Sequence, residues 1–126
     1  MKTKSLLLVL FLMALANFRC DQTEQTENEV CNVLDPLEDL PWLKDIKDVI
    51  TMRMSIAGAQ IIQYTYQGEC VFWVDECYQC PDAVISVYDS SGEVICEFGG
   101  IDGRDTCPDF HENATDSTML FDYVQH

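Results

Sequence analysis

Positive charge is the scarcest property of this sequence. Its 126 residues include only 7 Lys and Arg against 22 Asp and Glu, a formal net charge of −15. Neutralising phosphates needs clustered Lys and Arg, so nucleic acid is excluded as a partner class. Electrostatic docking on an anionic membrane surface is excluded on the same ground. Two histidines, His111 and His126, leave little for His-based catalysis. Ser86, Ser90, Ser91 and Ser117 stand in no G-x-S-x-G context. The glycines of Gly99–Gly103 lack the Lys and the following helix of a phosphate-binding loop. A carboxylate pair for glycoside cleavage can always be drawn from 22 acids, so its presence carries no information. The chain also lacks internal repeats and any apolar run of the roughly 20 residues that span a bilayer. The expectation is a non-enzymatic protein with no catalytic residue, no cofactor and no metal.

Apolar residues nevertheless make up 48% of the chain, enough for a real core and too many for a disordered acidic tail. The first of them are an address. Lys2 and Lys4 precede a run of 12 residues, Ser5–Ala16, that ends in small side chains, the pattern of a secretory signal. Two cleavage sites compete. Ala14-Leu15-Ala16 would release a soluble protein beginning at Asn17, whereas cleavage before Cys20 would leave a lipid-modified cysteine. The polar stretch Asp21–Glu29, which contains no apolar residue, reads as a tether and favours lipidation at Cys20. Arg19 stands against it, because a small residue ordinarily precedes a lipidated cysteine. The reading adopted is a signal segment over 1–19 (alternatively cleaved after 16), a tether over 20–34, a domain over 35–112 and a loose tail over 113–126. Such a protein is lipid-anchored to the outer membrane of a cell envelope, or else is secreted or soluble in the periplasm. Removing residues 1–19 leaves four basic residues, Lys44, Lys47, Arg53 and Arg104, against all 22 acids, a net charge of −18.

Within the domain the hydrophobic period changes once. Pro41 suits the first position of a helix. Trp42, Leu43, Ile46, Val49, Ile50 and Met54 then recur every three or four residues on one face. Gly58 is a plausible stop, although Ser55–Gly58 reads equally as loop. From Ile61 to Tyr66 the period is two, as in a half-buried strand, and Gln67-Gly68-Glu69 turns the chain into Cys70–Asp75. Val84–Tyr88 and Glu93–Phe98 read as two further strands joined by the turn Asp89-Ser90-Ser91-Gly92. The fold class expected is α+β, with one N-terminal helix packed on a four-stranded antiparallel meander, disulfide-stapled, with an irregular C-terminal loop and tail.

Lipidation of Cys20 leaves six cysteines, Cys31, Cys70, Cys77, Cys80, Cys96 and Cys107, an even number suited to disulfides outside a reducing compartment. Six allow 15 connectivities, and spacing does not choose among them. Sharper chemistries compete for the same residues. Cys77-Tyr78-Gln79-Cys80 has redox spacing, but Asp75, Glu76 and Asp82 flank it, Pro81 follows it, and those charges raise a thiol pKa. Zinc on Cys77, Cys80, Cys107 and His111 would use a loose second ligand pair. Calcium on Asp102, Asp105, Asp109 and Glu112 misses EF-hand spacing. The asparagine of Asn113-Ala114-Thr115 is a glycosylation acceptor only in a eukaryotic host. The bland reading, stapling, is preferred over all of these.

The motifs LPWLK (Leu40–Lys44), CPDA (Cys80–Ala83), VYDSSGEVICEFGG (Val87–Gly100) and TCPDF (Thr106–Phe110) occur in that order. Together they resemble an uncharacterised family of small lipoproteins from Bacteroidota-type bacteria, over roughly residues 35–112. The resemblance implies a bacterial envelope setting and transfers no catalytic or ligand residue. The leading functional expectation is a binding or accessory module whose partner is an unknown protein or envelope component. The second is an inhibitor or scavenger acting through a rigid loop, either Glu76–Asp82 with Tyr78 or Gly99–Asp109 with Asp102 and Arg104. The third is a thiol-redox protein using Cys77 and Cys80.

Overall fold

A computed structural model describes residues 31–53 and 58–124. The signal segment, Cys20, most of the tether and His126 lie outside the described residues. Two short helical pieces open the domain, α1 (Pro36–Asp39) and α2 (Pro41–Met52). Leu40 between them is extended, the conformation that a following proline enforces, so the two do not merge. Strands β1 (Ala59–Tyr66), β2 (Glu69–Asp75), β3 (Val84–Tyr88) and β4 (Val94–Gly99) follow, then the two-residue β5 (Arg104–Asp105), the single-turn α3 (Phe110–Asn113) and β6 (Thr115–Tyr123).

All six strands form one antiparallel sheet in the order β5-β4-β3-β2-β1-β6. The β1–β2 turn is tight because Gln67 and Gly68 both take positive φ, at 52° and 75°, which matches the twist of the flanking strands. At the β3–β4 turn the Asp89 carboxylate accepts the N–H groups of Ser91 and Glu93 and the Ser91 hydroxyl. These donors hold its pKa below the usual carboxylate value, the Ser91 side chain most strongly.

The sheet is covered on both faces. On the front, Leu43 and Ile50 of α2 pack against Ala59, Ile61, Cys70, Phe72 and Val74. Trp42 closes one end of this cluster, edge-on to Phe72 and beside Tyr88, and its indole N–H donates to the Ser90 carbonyl at 3.2 Å. On the back, Tyr66, Val71, Val87, Cys96 and Phe98 surround Phe110 of α3. The C-terminal segment thus crosses the back face from the β5 edge to reach the β1 edge. Burial of this much apolar surface on two faces is the main favourable term in the fold.

This architecture corrects the expected one. Among the described residues the sheet has six strands rather than four, the helical part is three pieces rather than one helix, and the C-terminal region is neither irregular nor a tail. Thr115–Tyr123 pairs along β1, and Leu120, Phe121 and Tyr123 pack against the front cluster. The physical reason that this strand escapes notice is that its register to β1 shifts twice, between Ile61 and Ile62 and between Gln63 and Thr65. Each irregularity breaks the two-residue alternation by which a strand is recognised. The helix face is also narrower than its periodicity suggests, since Val49 is 44% exposed.

Candidate functional site

Three disulfides fix the domain: Cys31–Cys70, Cys77–Cys80 and Cys96–Cys107. The first ties Cys31, ahead of α1, to β2, and the third ties the segment after β5 to β4. Both anchor on a buried strand cysteine, Cys70 or Cys96. The second lies in the β2–β3 connection, where Cys80 is exposed and Cys77 half-buried. Such bonds are compatible with an exported protein.

A groove opens on the front face beside the helix. Helix α2 covers β6, β1 and β2 on the front face and leaves the β3–β4–β5 half of that face open. Ser86 pairs with Val74 on one side and Glu97 on the other, and Val84 pairs with Gly99, so Val84, Ser86 and Glu97 all point to the front and form a floor. Arg53, immediately after α2, and the loop Glu76–Ala83 form one wall. Arg104 of β5 forms the other. The resulting groove encloses about 680 Å³.

Three ion pairs flank it. The Arg53 guanidinium meets Glu76 at 2.8 Å. Arg104 meets Glu97 at 3.2 Å and Asp102 at 3.1 Å. Arg104 holds the Asp102 carboxyl below the usual carboxylate value, through its hydrogen bond first and its charge second. All three pairs are solvent-exposed and contribute little to stability, so they fix charge at the groove more than they fix the fold. Beneath the loop Asp75 is 7% exposed and accepts the Cys77 N–H at 3.0 Å. Burial pushes its carboxyl pKa up, against the opposing effect of that hydrogen bond.

The residues singled out in sequence are distributed unevenly over this site. Cys77, Cys80 and Arg104 line the groove, and Asp102 reaches it through Arg104. Tyr78 is half-buried, with its N–H donated to the Gly58 carbonyl and its ring so close that a Cβ at Gly58 would stand 2.4 Å from it. The four residues weighed for zinc are not brought together: Cys77 and Cys80 bond each other, Cys107 bonds Cys96, and His111 packs against Trp73 and Phe98 on the back face. The calcium set is divided too, with Asp109 accepting from Tyr66 and Asn113. Among the described residues no group of three or more His, Cys, Asp or Glu stands close enough to hold a metal ion. Sequence reasoning missed Arg53, Ser86 and Glu97, and no local pattern points to them. A smaller cavity of about 470 Å³, bounded by Tyr66, Val71, Asp89 and Cys96–Cys107, opens on the back.

Among the described residues no helix is long and apolar enough to cross a membrane. No curated protein and no solved structure matches the chain. The motif Leu40–Lys44 lies ahead of the region that a family model does match, and β6 lies within it. That model, a domain of unknown function (DUF6970), covers residues 50–123, and the chain belongs to this family.

Proposed function

We propose that the chain is an exported envelope protein, lipid-anchored through Cys20, that acts as a binding module through the front groove. The observation that carries this reading is the uncovered half-face itself. A sheet in a small stapled domain gains by covering apolar surface, and here β3, β4 and β5 present instead a floor of Val84, Ser86 and Glu97 between two arginine-bearing walls. Two of the four basic residues that follow Cys20 stand in this one groove, against Glu76, Asp82 and Glu97, so its lining carries both signs of charge on an otherwise acidic surface. It suits a polar partner of mixed charge, in contrast to the cationic partner that the rest of the surface would select. Because the walls are fastened by Gly100 N–H donation to the Ala83 carbonyl and by the ion pairs of Arg53 and Arg104, little freedom is lost when a ligand binds.

Two measurements test this. Intact mass from the native membrane fraction should show a chain that begins at Cys20 with acyl groups; a chain that begins at Asn17 without lipid refutes the anchor. A photo-crosslinker at Ser86, on the groove floor, should give a discrete adduct in whole envelopes that disappears on Arg104→Glu. A crosslinker at Thr118, on the edge strand, should not give that adduct. Identical adducts from both positions refute the groove as the binding surface.

A further inference from the structure

We propose that Cys77–Cys80 is a redox-active disulfide that exchanges with a dithiol of a partner protein, while the other two bonds are structural. The flanking acids of the motif favour an inert bond when only the sequence is considered, and the structure alters the part played by two of the three, while Asp82 stays exposed in the groove lining. Asp75 turns inward and spends its carboxylate on the Cys77 N–H. Glu76 is answered by Arg53 at 2.8 Å. Arg104 stands on the opposite wall of the groove into which the bond opens. An attacking thiolate is an anion, and an acidic surface repels it. Half of the basic residues after Cys20 are gathered in the groove, where they offset part of the repulsion from Glu76, Asp82 and Glu97 in the same lining.

Access and ring size point the same way. Cys70 and Cys96 are buried, so each of their bonds has one protected sulfur, whereas Cys80 is exposed. The Cys77–Cys80 bond closes a separation of three residues, against 39 and 11 for the others. A short ring takes little entropy from the unfolded chain, so little folding energy opposes its opening. Exposed bonds of this kind are the labile ones.

The step balances as follows. A partner thiolate attacks the Cys80 sulfur and displaces Cys77 as a thiolate, leaving a mixed disulfide. The partner's second thiolate attacks the partner sulfur of that bond and displaces Cys80. Two electrons pass from the dithiol to the pair, the partner leaves as a disulfide, and its two protons end on Cys77 and Cys80.

The test uses the full mature protein in detergent with dithiothreitol as the dithiol, followed by alkylation, digestion and quantification of each cysteine pair. The Cys77–Cys80 pair should be half-reduced at a dithiothreitol concentration at least tenfold below that needed by either other pair. Reduction together with, or after, Cys96–Cys107 would overturn the proposal. Arg53→Gln, which leaves Glu76 unanswered, should slow reduction of this pair about threefold or more at low ionic strength, and added salt should erase the difference. Reduction of that variant at the wild-type rate in low salt would overturn the part assigned to the groove arginines. No macromolecular partner enters the assay, so its outcome is independent of whether the groove binds one.

Discussion

Replacing each cystine by a pair of alanines should destabilise the domain in a fixed order, set by how much chain each bond encloses. A crosslink restricts the unfolded ensemble by an entropy that grows with the logarithm of the ring. The separations are 39 residues for Cys31–Cys70, 11 for Cys96–Cys107 and three for Cys77–Cys80. At room temperature these correspond to about 4, about 3 and about 1.6 kcal/mol. Packing widens the gap, because Cys70 and Cys96 are buried in the front and back clusters while Cys80 touches solvent. A domain of this size has a net stability on the order of 5–10 kcal/mol, so loss of the first bond leaves it barely folded. Urea unfolding followed by tryptophan fluorescence suits the question, since Trp42 lies on the front face and Trp73 on the back. The urea midpoint should fall most for Cys31→Ala with Cys70→Ala and least for Cys77→Ala with Cys80→Ala. Equal losses, or a largest loss at Cys77 and Cys80, would refute the ring argument and make that short bond a structural keystone.

Gly92 and Gly68 both sit at positive φ, 89° and 75°, but only at Gly92 would a Cβ meet a neighbour, the Trp42 ring at 2.8 Å. Gly68→Ala should therefore cost about 1–2 kcal/mol by backbone strain alone, and Gly92→Ala about 2–4 kcal/mol; equal shifts in thermal midpoint would contradict the reading. Phe110→Ala empties the centre of the back cluster, where its ring meets Tyr64, Tyr66, Trp73 and Phe98, and should cost about 3–5 kcal/mol with a red shift of Trp73 emission. Asp75 has a raised folded-state pKa, so its ionisation opposes folding once the pH exceeds that value, and the opposition vanishes below the unfolded carboxylate value near 3.8. Asp75→Asn, whose amide oxygen can still accept the Cys77 N–H, should thus raise the thermal midpoint at neutral pH and lose that gain as the pH falls towards 4. A gain that is independent of pH would show that burial of the charge is not its cause.

What the sequence discloses of this fold is what is local. The central strands are readable because each has its own alternation and turn: Ile61–Tyr66 and Cys70–Asp75 against observed strands Ala59–Tyr66 and Glu69–Asp75, with Gln67-Gly68 between them. Val84–Tyr88 is read with its observed ends, because the Asp89 carboxylate stops it by capping the turn that follows. The edges are not readable. Strand β5 is two residues long, too short to hold a period, and exists because Phe98 and Gly99 offer it a ladder. Strand β6 carries its alternation out of phase, because both irregularities of its pairing fall within its span, and its partner β1 begins 56 positions earlier in the chain. Pairing at that distance is settled by the remaining free edge of the sheet, which no local window contains.

The same distinction governs the site. The C-x-x-C spacing is visible, and so are its acidic neighbours, because both are contiguous; reasoning from contiguity alone makes the thiols unreactive. What alters their surroundings comes from elsewhere: Arg53 from the end of α2, 23 positions before Glu76, and Arg104 from a two-residue strand that only the sheet places opposite. Their convergence depends on α2 ending at Met52, which brings Arg53 to Glu76, and on the sheet placing Arg104 across the groove. Charge composition is therefore a weak guide here. A net charge of −15 describes the chain as a whole, whereas reactivity at Cys80 depends most on the charges that line its groove, Arg53 and Arg104 against Glu76, Asp82 and Glu97. If the dithiothreitol experiment places Cys77–Cys80 first and Arg53→Gln slows its reduction at low salt, the groove arginines offset the acidic surroundings. If it does not, the bulk charge prevails, and the motif is a staple like the other two.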